Sequence, residues 1–263
     1  MFEFEIPQEP KAVLINPNNL RLCVYGDPGV GKTTFAAGFP GALFFDLDRG
    51  AEAVAVRVFN MQPDDKFKAS CKRAGVPATR WELFKRGLHF VIETEAAQTI
   101  VIDTIDAAYQ LAFDHYCQMH KVESPEDDPR ASMRIWGRIN AAVARLIQRC
   151  RDHKGCVVFL SQEQRVDRDE SGAICNAFNP GKGRITSRYE PAVHKGKPRN
   201  TLQEICSIMG RATFDNQGAR VLHCTATNTE LAKDRTGVLP PSIPFSYDAF
   251  VKCFRDAAKK SMH

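Results

Sequence analysis

The 263 residues, 43% of them hydrophobic, can bury the core of one large α/β domain or two small ones, which excludes a wholly disordered chain. A formal net charge of +5 permits a polyanionic partner without demanding one, so the distribution of charge has to decide. No stretch approaches the roughly 18 apolar residues of a membrane span. The acidic opening Met1 to Glu5 is unlike a basic signal-peptide start, and nine cysteines without CxxC spacing read as free thiols, so the expectation is a cytoplasmic protein.

Residues 1–19 form an arm punctuated by Pro7, Pro10 and Pro17. Phe2, Phe4 and Ile6 alternate there with Glu3 and Glu5, which predicts a short strand that completes its own sheet or adds to a neighbour's edge. Residues 20–263 read as a single domain without repeats. The apolar run Leu20, Leu22, Cys23, Val24, Tyr25 predicts a buried strand, and it runs into Gly26-Asp27-Pro28-Gly29-Val30-Gly31-Lys32-Thr33, a complete GxxxxGK[ST] phosphate loop followed by the helix-compatible Thr34 to Phe39. Glycines there leave backbone N–H groups open to a polyphosphate at a helix N-terminus. Lys32 is placed to neutralise β- and γ-phosphates, and the Thr33 hydroxyl to ligate the Mg²⁺ that accompanies ATP.

Further on, Ala42 to Phe45 predicts a second buried strand, ending in Asp46-Leu47-Asp48, and residues 79–92 predict a helix. The run Thr99-Ile100-Val101-Ile102-Asp103 is apolar on both faces, as a central parallel strand must be, and ends in an acid placed to hold the metal beside the phosphate loop. Thr104 follows, where AAA-type ATPases normally carry a glutamate that polarises the attacking water, so the base must come from elsewhere. Ile135, Ile139, Val143, Leu146, Ile147 and Cys150 recur at helical spacing over residues 131–151, leading to a buried strand at Cys156 to Leu160. Strands alternating with helices after a phosphate loop predict an α/β fold with a doubly wound, mostly parallel sheet. Residues 164–200 read as a long loop in which Lys182, Arg184, Arg188, Lys195, Lys197 and Arg199 outnumber Glu190 and are interleaved with Phe178, Tyr189 and His194, a composition that suits a phosphate backbone and stacked bases or else a solvated insert. The remainder predicts a short helix, a strand pair around residues 211–228 and a terminal helix.

Three more segments carry a family likeness. FFDLDRGAE resembles the segment of RecA-like ATPases that holds the catalytic glutamate, which makes Asp48 the candidate base with Asp46 as its neighbour; Asp is one methylene shorter than Glu, and a structural role for Asp48 stays open. VVFLSQEQR resembles the strand end of RecA-like and DnaB-type motors whose glutamine senses the γ-phosphate, here Gln162. LAKDRTGVLP looks like the KxR element of RadA and DnaB-type proteins, in which both cations, here Lys233 and Arg235, reach a neighbouring subunit's nucleotide. In one order over nearly the whole chain, these segments resemble the phage-type RecA-like P-loop ATPases of the Sak single-strand-annealing group. The resemblance implies an ATP- and Mg²⁺-dependent ATPase that binds single-stranded DNA, promotes annealing or recombination, forms a ring or filament, and works with a single-strand-binding protein. A replication motor or helicase loader is the alternative, and a small-molecule kinase with a lid of arginines a further one.

Overall fold

The structure, a computed structural model, describes residues 19–176, 179–194 and 196–260. The expected N-terminal strand with Phe2, Phe4 and Ile6, together with Phe178 and Lys195, lies outside the described residues.

The run before the phosphate loop is β1 (Arg21–Gly26), buried throughout, and the loop opens α1 (Lys32–Ala37). Next come β2 (Ala42–Asp46), a two-residue β3 (Arg57–Val58), α2 (Asp65–Arg73) and α3 (Arg80–Thr94). The side chain of Thr79 caps α3 by accepting from the Glu82 amide. β4 (Thr99–Asp103) is the expected acid-ended strand, and α4 (Ile105–His120) starts directly behind it with Thr104 as its capping residue. α5 (Ser132–Arg149) buries Ile135, Ile139, Val143, Leu146 and Ile147 on one stripe, as the spacing predicted.

β1 is paired in parallel with β5 (Cys156–Arg168) on one side and β7 (Ile208–Phe214) on the other; β4 lies beyond β5, and β2 beyond β4. β8 (Arg220–His223), β9 (Lys233–Asp234) and β10 (Ser242–Pro244) add antiparallel edges on the β7 side. The fold is thus α/β with a doubly wound, mostly parallel sheet. Alternate residues of the central strands feed two cores. Cys23, Phe45, Ile102 and Phe159 face α3, α4 and α5, whereas Val24, Phe44, Val101 and Val158 face α1 and α7 (Tyr247–Lys260). Burial on both faces is why these strands read as unbroken apolar runs.

The segment 164–200 departs from the expected long loop. β5 continues for 13 residues to Arg168 and folds back on β6 (Thr186–Pro191) as an antiparallel arm, with Gln164 opposite Glu190 and Val166 opposite Arg188. The chain then enters α6 (Lys197–Ile205). Between the two strands the described tip carries Gly172, Pro180, Gly181 and Gly183, while Gly196 and Pro198 fall at the start of α6. The segment also holds Asp167, Asp169 and Glu170, which offset part of its positive charge: Asp167 pairs with Arg165 at 3.0 Å, and Asp169 and Glu170 accept the backbone amides of Lys182 and Arg184.

Candidate active site

Strand register sets the site. Gly26 at the end of β1 is level with Gln162 of β5, and Asp46 of β2 is level with Asp103 of β4, so the phosphate loop, the glutamine and the acids share the carboxyl edge of the sheet, where doubly wound folds bind ligands. A Cβ on Gly26 would lie 2.1 Å from the Ala212 carbonyl oxygen, so only glycine fits. Gly29 and Gly31 hold φ values of 79° and 100°, the left-handed region that glycine enters without strain. Val30 is buried beneath the loop while Asp27, Pro28 and Gly29 stay exposed.

Lys32 is buried, and its ammonium donates to the carbonyls of Gly26 (2.7 Å) and Asp27 (2.9 Å) and to Gln162 Oε1 (3.1 Å). Burial lowers its pKa, and the nearby Asp103 opposes that shift. Thr33 Oγ1 donates to Asp103 Oδ2 at 2.8 Å. Burial is also the main force on Asp103, whose pKa is raised to about 6; Asp48 and Asp46 push the same way, against the Thr33 hydrogen bond and Lys32.

Asp46 and Asp48 take different roles. Both Asp46 oxygens accept backbone amides, from Gly50 (2.9 Å) and Ala51 (3.2 Å), and so fix the turn after β2. Asp48 is exposed and lines the cleft with Lys32, Thr33, Thr34, Asp103 and Gln162. Its Oδ2 lies 3.4 Å from the Thr104 hydroxyl, which also lies 3.1 Å from Asp106 Oδ2. Thr104 has one hydroxyl proton, so it serves one acid at a time. The Asp106 carboxylate in turn accepts the Gln162 amide at 3.3 Å, and burial raises its pKa. The cleft, about 360 Å³, therefore holds a cradle of glycine amides, one lysine, a hydroxyl and carboxylate pair suited to a hard divalent cation, and a solvent-facing acid.

Two groups at this site went unread in the sequence. Thr104 stands where a glutamate is expected, yet its type and its position just before a helix signal a cap, and its side chain accepts the Ala107 amide. Arg220 on β8 lines the cleft, its Nη1 3.2 Å from where a Cβ on Gly31 would lie. No local pattern distinguishes it from any strand-end arginine.

Other expected residues sit elsewhere. Lys233 donates to the Gln203 carbonyl and Arg235 to the Glu204 carbonyl (2.8 Å), so both cations serve the C-terminal end of α6 in their own chain, where positive charge is favoured. Neither lines the phosphate-loop cleft. Arg199 corrects the nucleic-acid set: it is 6% exposed, pairs with Glu190 at 2.6 Å and donates to the carbonyls of Val193 and Pro191. Its place inside α6, on the face packed against the arm, withdraws it from any polyanion. Arg188 is half-buried, with Nη2 reaching the Glu230 carbonyl at 3.5 Å. Tyr189 has one face covered by the Arg211 guanidinium, 3.7 Å from the ring centroid. Lys182, Arg184 and Lys197 are exposed.

The AAA-domain family model AAA_24 matches residues 18–236, most of the chain. A KaiC-like protein, PH0186 from the hyperthermophilic archaeon Pyrococcus horikoshii OT3, is similar over 79% of this chain and 78% of its own, at 15% identity and a TM-score of 0.39. No curated protein matches the chain. The chain belongs to the AAA-domain family and is a P-loop ATPase domain. Among the described residues no helix is long and apolar enough to cross a membrane.

Proposed function

We propose that this P-loop ATPase binds single-stranded DNA on its arm, hydrolyses ATP as an oligomer, and promotes annealing or homologous recombination in the manner of the Sak group, in company with a single-strand-binding protein. One observation carries this reading. β5 holds Gln162 against Lys32 in the cleft and continues, unbroken, as the first strand of the arm. A phosphate arriving at Lys32 competes with Gln162 for the ammonium, so the root of the arm registers the state of the nucleotide.

The donor set fits the ligands. The glycine-opened amides and Lys32 suit the phosphates, and Thr33 Oγ1 with Asp103 Oδ2 are adjacent hard oxygens that would hold Mg²⁺, which would neutralise phosphate charge when bound with ATP. Asp48 accepts the proton of the attacking water, and the Thr104 hydroxyl fixes its orientation. In the oligomer, Lys233 and Arg235 exchange the α6 carbonyls for the neighbouring subunit's nucleotide.

The test is ATP turnover measured alone and with single-stranded DNA, single-stranded RNA and duplex. Preferential stimulation by single-stranded DNA is the expected result. Turnover indifferent to all three polymers would remove the DNA-dependent reading. ATP consumption matched by phosphorylation of a small acceptor would replace it with a kinase.

A further inference from the structure

A second concave site, about 480 Å³, opens where α4, α5 and the segment between β6 and α6 meet. Its wall is aromatic. The imidazole of His194 stacks on Tyr109, centroids 4.6 Å apart at 7°, and on Trp136, 5.6 Å apart at 14°, so rings from three parts of the fold lie nearly parallel. Phe113 packs beside Trp136 at 5.6 Å. Tyr109 is buried and Trp136 half-buried, each tied down by one hydrogen bond: the tyrosine hydroxyl donates to Asn140 Oδ1 and the indole N–H to Glu126 Oε1. His194 is the exposed member and belongs to no helix or ladder. The rim is polar, from Asp106, Gln110 and Gln164.

We propose that this pocket takes an unpaired nucleobase of a bound single strand, which stacks on Tyr109 and Trp136 in the place now filled by the His194 imidazole. The inference rests on the single-strand reading above and gives it an address. Stacked, near-parallel rings select a flat heteroaromatic partner over an aliphatic one, and the imidazole already held there shows that a planar, nitrogen-bearing ring fits. The amide and carboxylate rim meets the polar edge of a base. A strand commends itself over a free nucleotide because, among the described residues, no cation lines the pocket to hold a lone phosphate, whereas exposed Lys197 follows His194 by three residues at the start of α6, where a strand continuing past the base can meet it. The pocket also touches the ATP cleft, since the rim residue Asp106 accepts the Gln162 amide and Gln162 accepts from Lys32. A base seated against Asp106 therefore acts on the same strand that registers the nucleotide.

Trp136 makes the idea measurable, because the other tryptophan, Trp81, is 1% exposed inside the core. The probes are a deoxythymidine oligomer, an abasic deoxyribose-phosphate oligomer of equal length and thymidine monophosphate. The thymidine oligomer should quench indole fluorescence and bind about fivefold to a hundredfold more tightly than the abasic one, since a base stacked on an aromatic side chain contributes roughly 1–3 kcal/mol. Trp136→Leu should lose about tenfold to a hundredfold in affinity for the thymidine oligomer, keep its basal ATP turnover and lose stimulation by DNA. His194→Ala, which vacates the slot and leaves the core alone, should bind the oligomer at least as tightly as the native chain. Equal binding of the abasic oligomer with equal quenching would overturn the pocket while leaving single-strand binding through phosphates intact. Quenching by the monophosphate at the oligomer's own affinity would overturn the choice of a strand. Failure of every oligomer to bind would instead take down the single-strand reading itself.

Discussion

At the carboxyl edge of the sheet two charged clusters lie side by side and are built in opposite ways. In the phosphate-loop cleft Lys32 donates only to neutral oxygens and Asp103 accepts from a neutral hydroxyl. Beside it, Arg211 is gripped by both oxygens of Glu163 (2.8 and 3.1 Å) and by Glu230 (2.7 Å), while Glu230 also accepts from His223 at 2.6 Å. Burial pushes Glu230 up, yet bonds from His223 and Arg211 bring its pKa below the usual value, whereas Asp103 is left raised. A charge saturated by countercharges holds the fold. A charge parked on neutral partners is held ready for a ligand that brings its own.

The largest effects belong to the parked charges. Lys32→Ala and Asp103→Asn should each lower ATP turnover by on the order of 10³-fold while the protein stays folded. Arg235→Ala should cost at least as much if it serves a neighbour, and mixing it with Lys32→Ala should restore turnover at junctions that pair an intact arginine with an intact lysine. No rescue, and a specific activity independent of protein concentration, would confine Lys233 and Arg235 to the end of α6. The sign of the Asp103 shift adds a second readout. Its pKa near 6 lies above the ordinary value of 3.8, so the folded state holds the extra proton between those values and the cost of ionisation is fully present above pH 6. Asp103→Asn should therefore raise the melting temperature of the nucleotide-free protein at pH 7 to 8, by about 2–4 °C for each kcal/mol relieved. In the native chain kcat/KM should fall as pH drops through about 6, because the protonated acid cannot ligate metal.

The saturated charges should show the reverse pattern. Arg199→Ala leaves the buried Glu190 with only the half-exposed Arg168, at 3.3 Å, and should cost up to about 3–5 kcal/mol in urea unfolding, with turnover per folded molecule unchanged. Replacing both partners, as in Arg199→Met with Glu190→Gln, should recover much of that loss. A stable Arg199→Ala chain that had lost DNA affinity would put Arg199 back on the surface.

This contrast also marks what the sequence could disclose. The phosphate loop, the strand ending in Asp103 and the amphipathic α5 were legible because local spacing encodes them. Charge pairing was not, since Arg199 and Glu190, or Arg211 and Glu163, meet only after the chain folds. The arm is not legible as strands because its ladder pairs Glu163–Arg168 with Thr186–Pro191, far apart in sequence, and half-exposed polar strands lack the alternation that announces them. Arg220 reached the cleft through strand order alone.

A smaller effect separates the two acids after β2. Asp48→Asn keeps the side chain's size and its contacts with Thr104 and Gly50 but removes the proton acceptor, so nucleotide binding should persist while single-turnover hydrolysis falls by about 100-fold. Asp46→Asn should act mainly through the turn that its oxygens hold, changing stability more than hydrolysis. Normal hydrolysis by Asp48→Asn would pass the role of base to Asp106, the remaining acid within reach of Thr104.

The smallest effect is expected where the sequence placed the most charge. At the arm's tip the described cations are Lys182 and Arg184, whose backbone amides are held by Asp169 and Glu170 while their side chains face solvent. Each phosphate contact on a single strand contributes about 0.7 to the slope of log affinity against log salt. Changing both residues to Ala should therefore lessen that slope by about 1.4 and weaken binding most at low salt. Acids at the tip oppose the strand as well, so Glu170→Gln should strengthen binding in the same assay, provided that it keeps the Arg184 amide as a partner. If the double variant binds with an unaltered slope, the tip is a solvated turn, and the strand must run instead over Lys197 and the aromatic pocket at the arm's root.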